Sequence, residues 1–170
     1  MQKTNKLILT LAFAIYLFLL SWLIIFKCNT IVGDLFFGFR SINFIPYKYL
    51  LAGGQALDYS LNIVAYIPFG VFISLIFTKK PLAFKVIIII LSSVLYEAFQ
   101  FIFAFGSCDI SDVISNSLGG ALGLILFGAT KKFFTPKAIN AISLGIIIIG
   151  APLCVYAIIS TAYTFPHYFL

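Results

Sequence analysis

The sequence predicts an all-α integral membrane protein: a bundle of about five transmembrane helices, N-terminus cytoplasmic and C-terminus extracellular. Three observations carry this expectation. The first is composition: of 170 residues, 62% are hydrophobic and only 9% are Asp, Glu, Lys or Arg. Soluble domains run at about 45–50% apolar and about 25% charged, so too few charges are present to cover a water-facing surface. Low-hydrophobicity disorder is excluded by the same figures. The second is a set of continuous apolar runs, each near the roughly 20 residues that a helix needs to cross a hydrocarbon core of about 30 Å. Barrel strands alternate in hydrophobicity instead. The third is an uneven distribution of basic residues between the loops.

The runs, in order, are about 7–26, 61–77, 86–105, 113–129 and 139–160. The first carries no charge and follows Lys3 and Lys6. Its length exceeds the 7–15 residues of a signal-peptide core and no A-x-A site follows, so an uncleaved helix is expected. The second holds Pro68 and Gly70. Pro68 frees a backbone carbonyl, which predicts either a kink or a half-helix lining a site. The third contains Glu97, the fourth Asn116 and several glycines, and the fifth Pro152. No internal repeat or low-complexity tract interrupts this pattern, so residues 1–170 read as one transmembrane domain.

Lys3, Lys6, Lys79, Lys80, Lys85, Lys131, Lys132 and Lys137 fall on one side of these spans. Lys27, Arg40 and Lys48 fall on the other. The side richer in Lys and Arg is expected in the cytoplasm. The pI of about 9.3 is thereby accounted for at anionic lipid head groups, with no nucleic-acid partner required. A multi-pass protein of the cell membrane with membrane lipids as partners follows. The first outer loop, about 27–60, is rich in aromatic residues such as Phe36, Phe37, Phe39, Phe44, Tyr47 and Tyr49. It is expected to lie along the membrane–water interface, with Gly53-Gly54 as a turn.

Polar groups within a membrane are expensive, so their positions are informative. Projected on this topology, Arg40, Asn43, Asn62, Glu97, Gln100, Asp109, Asp112 and Asn116 share one outer-leaflet layer. Glu97 and Gln100 are spaced i, i+3, and Asp109, Asp112 and Asn116 i, i+3, i+7, each set on one helix face. An ionised carboxylate in hydrocarbon costs several kcal/mol unless it is paired. Arg40, the sole arginine, has a fork suited to hold one carboxylate bidentately. The remaining negative charge suits a proton relay, a divalent cation or a cationic ligand. The alternative is that these groups bond only to one another and fix the helix packing. Ser115, Gly119 and Gly123 form a small-residue stripe of the kind that lets helices approach closely.

Absences narrow the function classes. There is no HExxH, no Cys/His metal spacing, no GxSxG and no phosphate-binding loop with Lys-Ser/Thr, so no catalytic motif, cofactor or metal is expected. His167 lies near the C-terminus and reads as a solvated residue. Cys28, Cys108 and Cys154 have no motif spacing; Cys28 and Cys108 are both expected outside and form a candidate pair.

Four blocks carry a resemblance. They are Arg40-Ser41-Ile42-Asn43-Phe44-Ile45-Pro46-Tyr47; Leu61-Asn62-Ile63-Val64-Ala65-Tyr66-Ile67-Pro68-Phe69-Gly70; Tyr96-Glu97-Ala98-Phe99-Gln100; and Cys108-Asp109-Ile110-Ser111-Asp112-Val113-Ile114-Ser115-Asn116-Ser117-Leu118-Gly119-Gly120-Ala121-Leu122-Gly123. In this order, at helix-sized separations, they resemble the VanZ-like family over about residues 7–130. Members often carry a basic residue just before the first Asp of the last block; Ser107-Cys108 stand there instead, which leaves the outer mouth more negative. The resemblance implies an envelope protein associated with low-level resistance to teicoplanin, a lipoglycopeptide acting at the outer face of the membrane. Its partners would be that glycopeptide, a cell-wall lipid precursor or the surrounding lipid. The alternative is an intramembrane enzyme acting on a lipid or lipid-linked glycan, with Glu97 and Asp112 as acid/base or metal ligands.

Overall fold

The computed structural model describes residues 5–26, 41–48, 56–103 and 108–164. Five long helices carry the chain: α1 (Lys6–Phe26), α2 (Ala56–Ile76), α3 (Leu82–Ile102), α4 (Ile110–Thr130) and α5 (Pro136–Thr164). Two short strands, β1 (Ile42–Asn43) and β2 (Cys108–Asp109), pair in parallel with Ile42 opposite Cys108 and Asn43 opposite Asp109. Apolar stretches of 20, 21, 21, 24 and 26 residues, the fourth running past the end of α4 to Phe133, are each long enough to cross a membrane. At 1.5 Å per residue they run about 30–39 Å.

Helix ends follow local chemistry that hydropathy does not register. α2 begins at Ala56, five residues before the apolar run, because Asp58 in its first turn suits the positive end of the helix dipole. α3 begins at Leu82; Pro81 stands at its N-cap in extended conformation, ψ 159°, and the residue before a proline is disfavoured in a helix, so the helix does not extend further back. It ends at Ile102, three residues short of the expected limit. α5 begins at Pro136 after Thr135, whose hydroxyl accepts a hydrogen bond from the Ala138 N–H at 3.2 Å as an N-cap. α2 is continuous through Pro68, and α5 through Pro152, so neither proline splits its span into half-helices. The outer loop is not only an interfacial strip: residues 41–48 form β1 and a turn, and residues 56–60 belong to α2. Arg40, Cys28 and the Gly53-Gly54 turn lie outside the described residues.

The chain divides into two compact units, one of Met1–Gly33 with Thr130–Leu170, the other of Asp34–Ala129. In the first, α1 and α5 run side by side in the same direction. The Asn5 N–H donates to Asn140 Oδ1 at 2.8 Å near the two helix starts, and Trp22 Nε1–H donates to Thr161 Oγ1 at 3.2 Å near their ends. Ala12, Leu20, Ile24, Ile139, Ser143 and Ala157 are buried, so this unit's interior is mostly apolar or small.

The second unit holds α2, α3 and α4 with the two strands. α2 and α4 run in the same direction with backbones touching. A Cβ on Gly119 would lie 2.2 Å from the Ile63 carbonyl oxygen, and one on Gly123 2.1 Å from that of Ile67. The small-residue stripe is therefore packing inside the chain, as close helix approach in lipid requires. α3 runs the opposite way and supplies Ile89, which fills the space beside Gly120.

The interior of this second unit combines apolar residues such as Tyr66, Phe69, Ile73 and Ile89 with a buried polar cluster. Glu97, Gln100, Ser93, Ser111, Asp112, Ser115 and Asn116 are all at most 2% exposed, while Leu95, Ile125 and Leu57 are 66% exposed or more. Water would drive the opposite arrangement. A hydrocarbon surrounding explains it, because exposed Leu and Ile then meet lipid and polar groups retreat to one another.

Candidate functional site

The site grows from the start of α4. Asp109 precedes the first helical residue and acts as its N-cap. Its Oδ1 accepts hydrogen bonds from the Ser111 N–H at 2.8 Å and the Ser111 hydroxyl at 2.6 Å. That satisfies an amide the helix cannot bond internally. Its Oδ2 accepts from Asn43 Nδ2 at 3.1 Å, and its backbone N–H donates to Glu97 Oε2 at 2.8 Å. One residue thus joins β1, α3 and the start of α4. Cys108, beside it, donates its N–H to the Ser41 carbonyl at 3.0 Å and closes the strand pair.

Asn43 is fixed in turn. Its Oδ1 accepts from the Ile45 N–H and its Nδ2 donates to the Ile45 carbonyl, both at 3.2 Å. This shapes the turn that follows and delivers Tyr47. Tyr47 has a φ of 55°, a left-handed conformation costing a non-glycine residue roughly 1–3 kcal/mol. Its contacts hold it there. The Tyr47 N–H donates to Ser111 Oγ at 2.9 Å, its hydroxyl lies 3.5 Å from Ser115 Oγ, and its ring meets Tyr59 of α2 edge-on at 5.1 Å.

A second pair links α2 to α4: Asn62 Nδ2 donates to Asp112 Oδ1 at 2.9 Å. A third links α4 to α3: Asn116 Nδ2 donates to Ser93 Oγ at 2.9 Å. Gln100 is fully buried on α3, three residues beyond Glu97. Deeper on the same helix, Ser92 Oγ donates to the Ile89 carbonyl and lies 3.5 Å from the Tyr66 hydroxyl.

Of the eight residues that the sequence singles out, Asn43, Glu97 and Asp109 are thus joined in one network, and Asn62 bonds Asp112. Asn116 bonds a serine one turn further in. Arg40 lies outside the described residues. Sequence reasoning overlooks Ser111, Tyr47 and Ser93. Ser93 stands four residues before Glu97, on the same helix face, a spacing legible in the sequence. Ser111 and Tyr47 have only a local signal, the D-x-S cap and the N-x-x-P-Y turn.

Glu97, Asp109 and Asp112 bring three carboxylates into this unit, each at most 3% exposed. Among the described residues, no group of three or more His, Cys, Asp or Glu side chains is arranged to hold a metal ion. Cys108 carries a free thiol. Burial pushes its pKa above the ordinary value, and the negative charges of Glu97, Asp109 and Asp112 push it further.

Comparison with known proteins now has a site to bear on. Residues 13–131 match the family model described as VanZ/LLP1, a span that contains every residue of the network above. The chain is 34% identical over 147 residues to Protein VanZ of Enterococcus faecium, covering 86% of this chain and 88% of that protein. No solved structure matches it significantly. A family match over most of the length, and a relative aligned almost end to end, leave one assignment: this five-helix chain belongs to the VanZ/LLP1 family.

Proposed function

We propose that this protein acts in the bacterial plasma membrane, at the outer leaflet. There its polar cluster lowers the effect of a lipoglycopeptide antibiotic such as teicoplanin. The observation that carries the reading is the buried polar cluster of the second unit. Three buried carboxylates at helix ends in a lipid-facing scaffold are costly to maintain for packing alone, and residues of that kind in membranes are usually functional. The distribution of lysines supports the outward orientation, and membership of the VanZ/LLP1 family supports the link to teicoplanin. The occupant of the cluster would be the antibiotic, a cell-wall lipid precursor or a membrane lipid.

The test is expression of the wild type and of Glu97→Gln, Asp112→Asn and Arg40→Lys in a teicoplanin-sensitive host, at matched membrane abundance. Protection against teicoplanin with little change for vancomycin is expected from the wild type, and loss of it from the variants. Full protection by all three variants contradicts the reading. Lipidomics on the same strains separates the enzymatic alternative: a lipid made by the wild type and absent with Glu97→Gln would mark an intramembrane enzyme.

A further inference from the structure

The net charge of +6 is not shared between the two units. Residues 34–129 carry five basic and five acidic side chains and balance to zero. Residues 1–33 and 130–170 carry six lysines and no Asp or Glu. Of those lysines the structure describes Lys6, Lys131, Lys132 and Lys137, and all four are exposed. Lys6 opens α1, Lys137 is the second residue of α5, and Lys131 and Lys132 lie on the short turn Lys131–Phe133 that leads into α5. α1 and α5 run side by side in the same direction, with Asn5 bonded to Asn140 beside their starts. The four cations therefore gather at one end of this unit, which has no acidic side chain to neutralise them.

Their placement runs against helix electrostatics. The start of a helix is the positive end of its dipole and favours anions. Two parallel starts lie together here, and cations stand at both. The amides of these starts do not form an anion pocket. Asn5 Oδ1 accepts from the Leu7 and Ile8 N–H groups at 3.1 and 3.4 Å, and Thr135 caps α5. The result is a cationic surface with apolar residues set into it. Leu7 and Phe133 are 67% and 65% exposed, and Lys132 Nζ lies 5.0 Å from the centre of the Phe133 ring. A soluble polyanion gains nothing from an exposed Leu and Phe. A bilayer surface uses both features: the apolar side chains enter below the head groups, while the lysines reach the phosphates. Each lysine near an anionic leaflet adds to the attraction.

We propose that this end of the α1–α5 unit is a docking surface for anionic phospholipid. Lys6, Lys131, Lys132 and Lys137 meet the phosphate groups, and Leu7 and Phe133 enter the upper acyl chains. The lipid charge offsets the opposition between the lysines and the two helix starts. An anionic leaflet therefore stabilises the α1–α5 pair more than a zwitterionic one. The inference does not depend on the polar cluster of the second unit.

The experiment places the purified full chain in nanodiscs of phosphatidylcholine, with and without phosphatidylglycerol, and follows thermal unfolding. Phosphatidylglycerol at about a third of the lipid should raise the melting temperature of the wild type by about 5 °C. Salt at about 1 M, where the Debye length is about 3 Å, should remove most of the rise. The triple variant Lys131→Gln, Lys132→Gln, Lys137→Gln should lose the rise. In pure phosphatidylcholine it should melt no lower than the wild type, because cations have left a helix start; this also shows that it folds. The triple variant Lys79→Gln, Lys80→Gln, Lys85→Gln removes as much charge from the second unit and should keep the rise. Lys131→Arg, Lys132→Arg, Lys137→Arg retains the charge and should keep it too. The competing occupant is a soluble acidic chain. Polyglutamate that raises the melting temperature in pure phosphatidylcholine as much as phosphatidylglycerol does overturns the lipid assignment. Equal melting temperatures with and without phosphatidylglycerol overturn the proposal, as does an equal loss from both glutamine variants, which would make total charge responsible and not this surface.

Discussion

The two units of this chain differ in what they bury beside their apolar residues. The α1–α5 pair buries Ala12, Leu20, Ile24 and Ala157, with the Asn5–Asn140 hydrogen bond near its start and the Trp22–Thr161 hydrogen bond near its end. The α2–α3–α4 unit also buries apolar residues, among them Tyr66, Phe69, Ile73 and Ile89, but adds Glu97, Gln100, Asp112, Ser93 and Asn116. In lipid, apolar burial supplies little drive for association, so close packing and polar bonds decide stability. The first unit relies on side-chain contact. The second relies on backbone touching backbone at Gly119 and Gly123 and on a buried network that is harmful when only partly satisfied. Substitutions should therefore be felt far more in the second unit than in the first.

The largest effect is expected from Gly119→Val. Its new Cβ would meet the Ile63 carbonyl at 2.2 Å, and a backbone carbonyl cannot rotate away, so the loss should exceed about 3 kcal/mol. Gel filtration of the detergent-purified variant should show loss of the monodisperse peak. The corresponding probe of the first unit is Gly150→Ala, where the added methyl meets the tip of Ile15, Cγ2 at 2.5 Å. A side chain can shift, and about 1 kcal/mol is expected. Comparable melting temperatures for the two variants would erase the contrast.

Asp109→Ala comes next. It removes the α4 cap and the anchor of Asn43 together, for a loss of about 2–4 kcal/mol, visible as a lower melting temperature. Trp22→Phe in the first unit removes one bond to Thr161 and should cost about 0.6 kcal/mol, the average for such bonds in membranes. The smallest structural effect sharpens the electrostatics. The Cys108 thiol is held protonated by burial and by nearby carboxylates. Asp112→Asn removes one of those charges, so the thiol pKa should fall and maleimide labelling at pH 8 should become faster. Labelling at an unchanged rate would mean that Asp112 carries no charge felt at Cys108.

Much of this was legible from residues alone, in ways that differ by region. Continuous apolar runs locate α1 to α5 because the membrane demands length and hydrophobicity from each span. The helix starts at Ala56 and Leu82 escape that logic, since they are set by Asp58 and Pro81 outside the apolar window. Spacing puts Asp112 with Asn116, and Glu97 with Gln100, on common helix faces. It does not reveal which residue bonds which: Asn43 reaches Asp109 only because β1 pairs with β2, and a two-residue parallel strand pair leaves no periodic signature. The dual character of Asp109, a helix cap as well as a member of the acidic layer, emerges only when the start of α4 is known. Prolines mislead in the other direction. Of the two readings of Pro68, a kink or a half-helix, the second does not hold, since α2 runs through it.

Central to the proposed function is that the polar cluster of the second unit is required for protection and that the Trp22–Thr161 contact of the first unit is not. The most direct test compares teicoplanin susceptibility of cells expressing Asp112→Asn with that of cells expressing Trp22→Phe, each at the membrane abundance of the wild type. The account predicts that Asp112→Asn protects no better than an empty vector and that Trp22→Phe protects like the wild type. Undiminished protection from Asp112→Asn would contradict it.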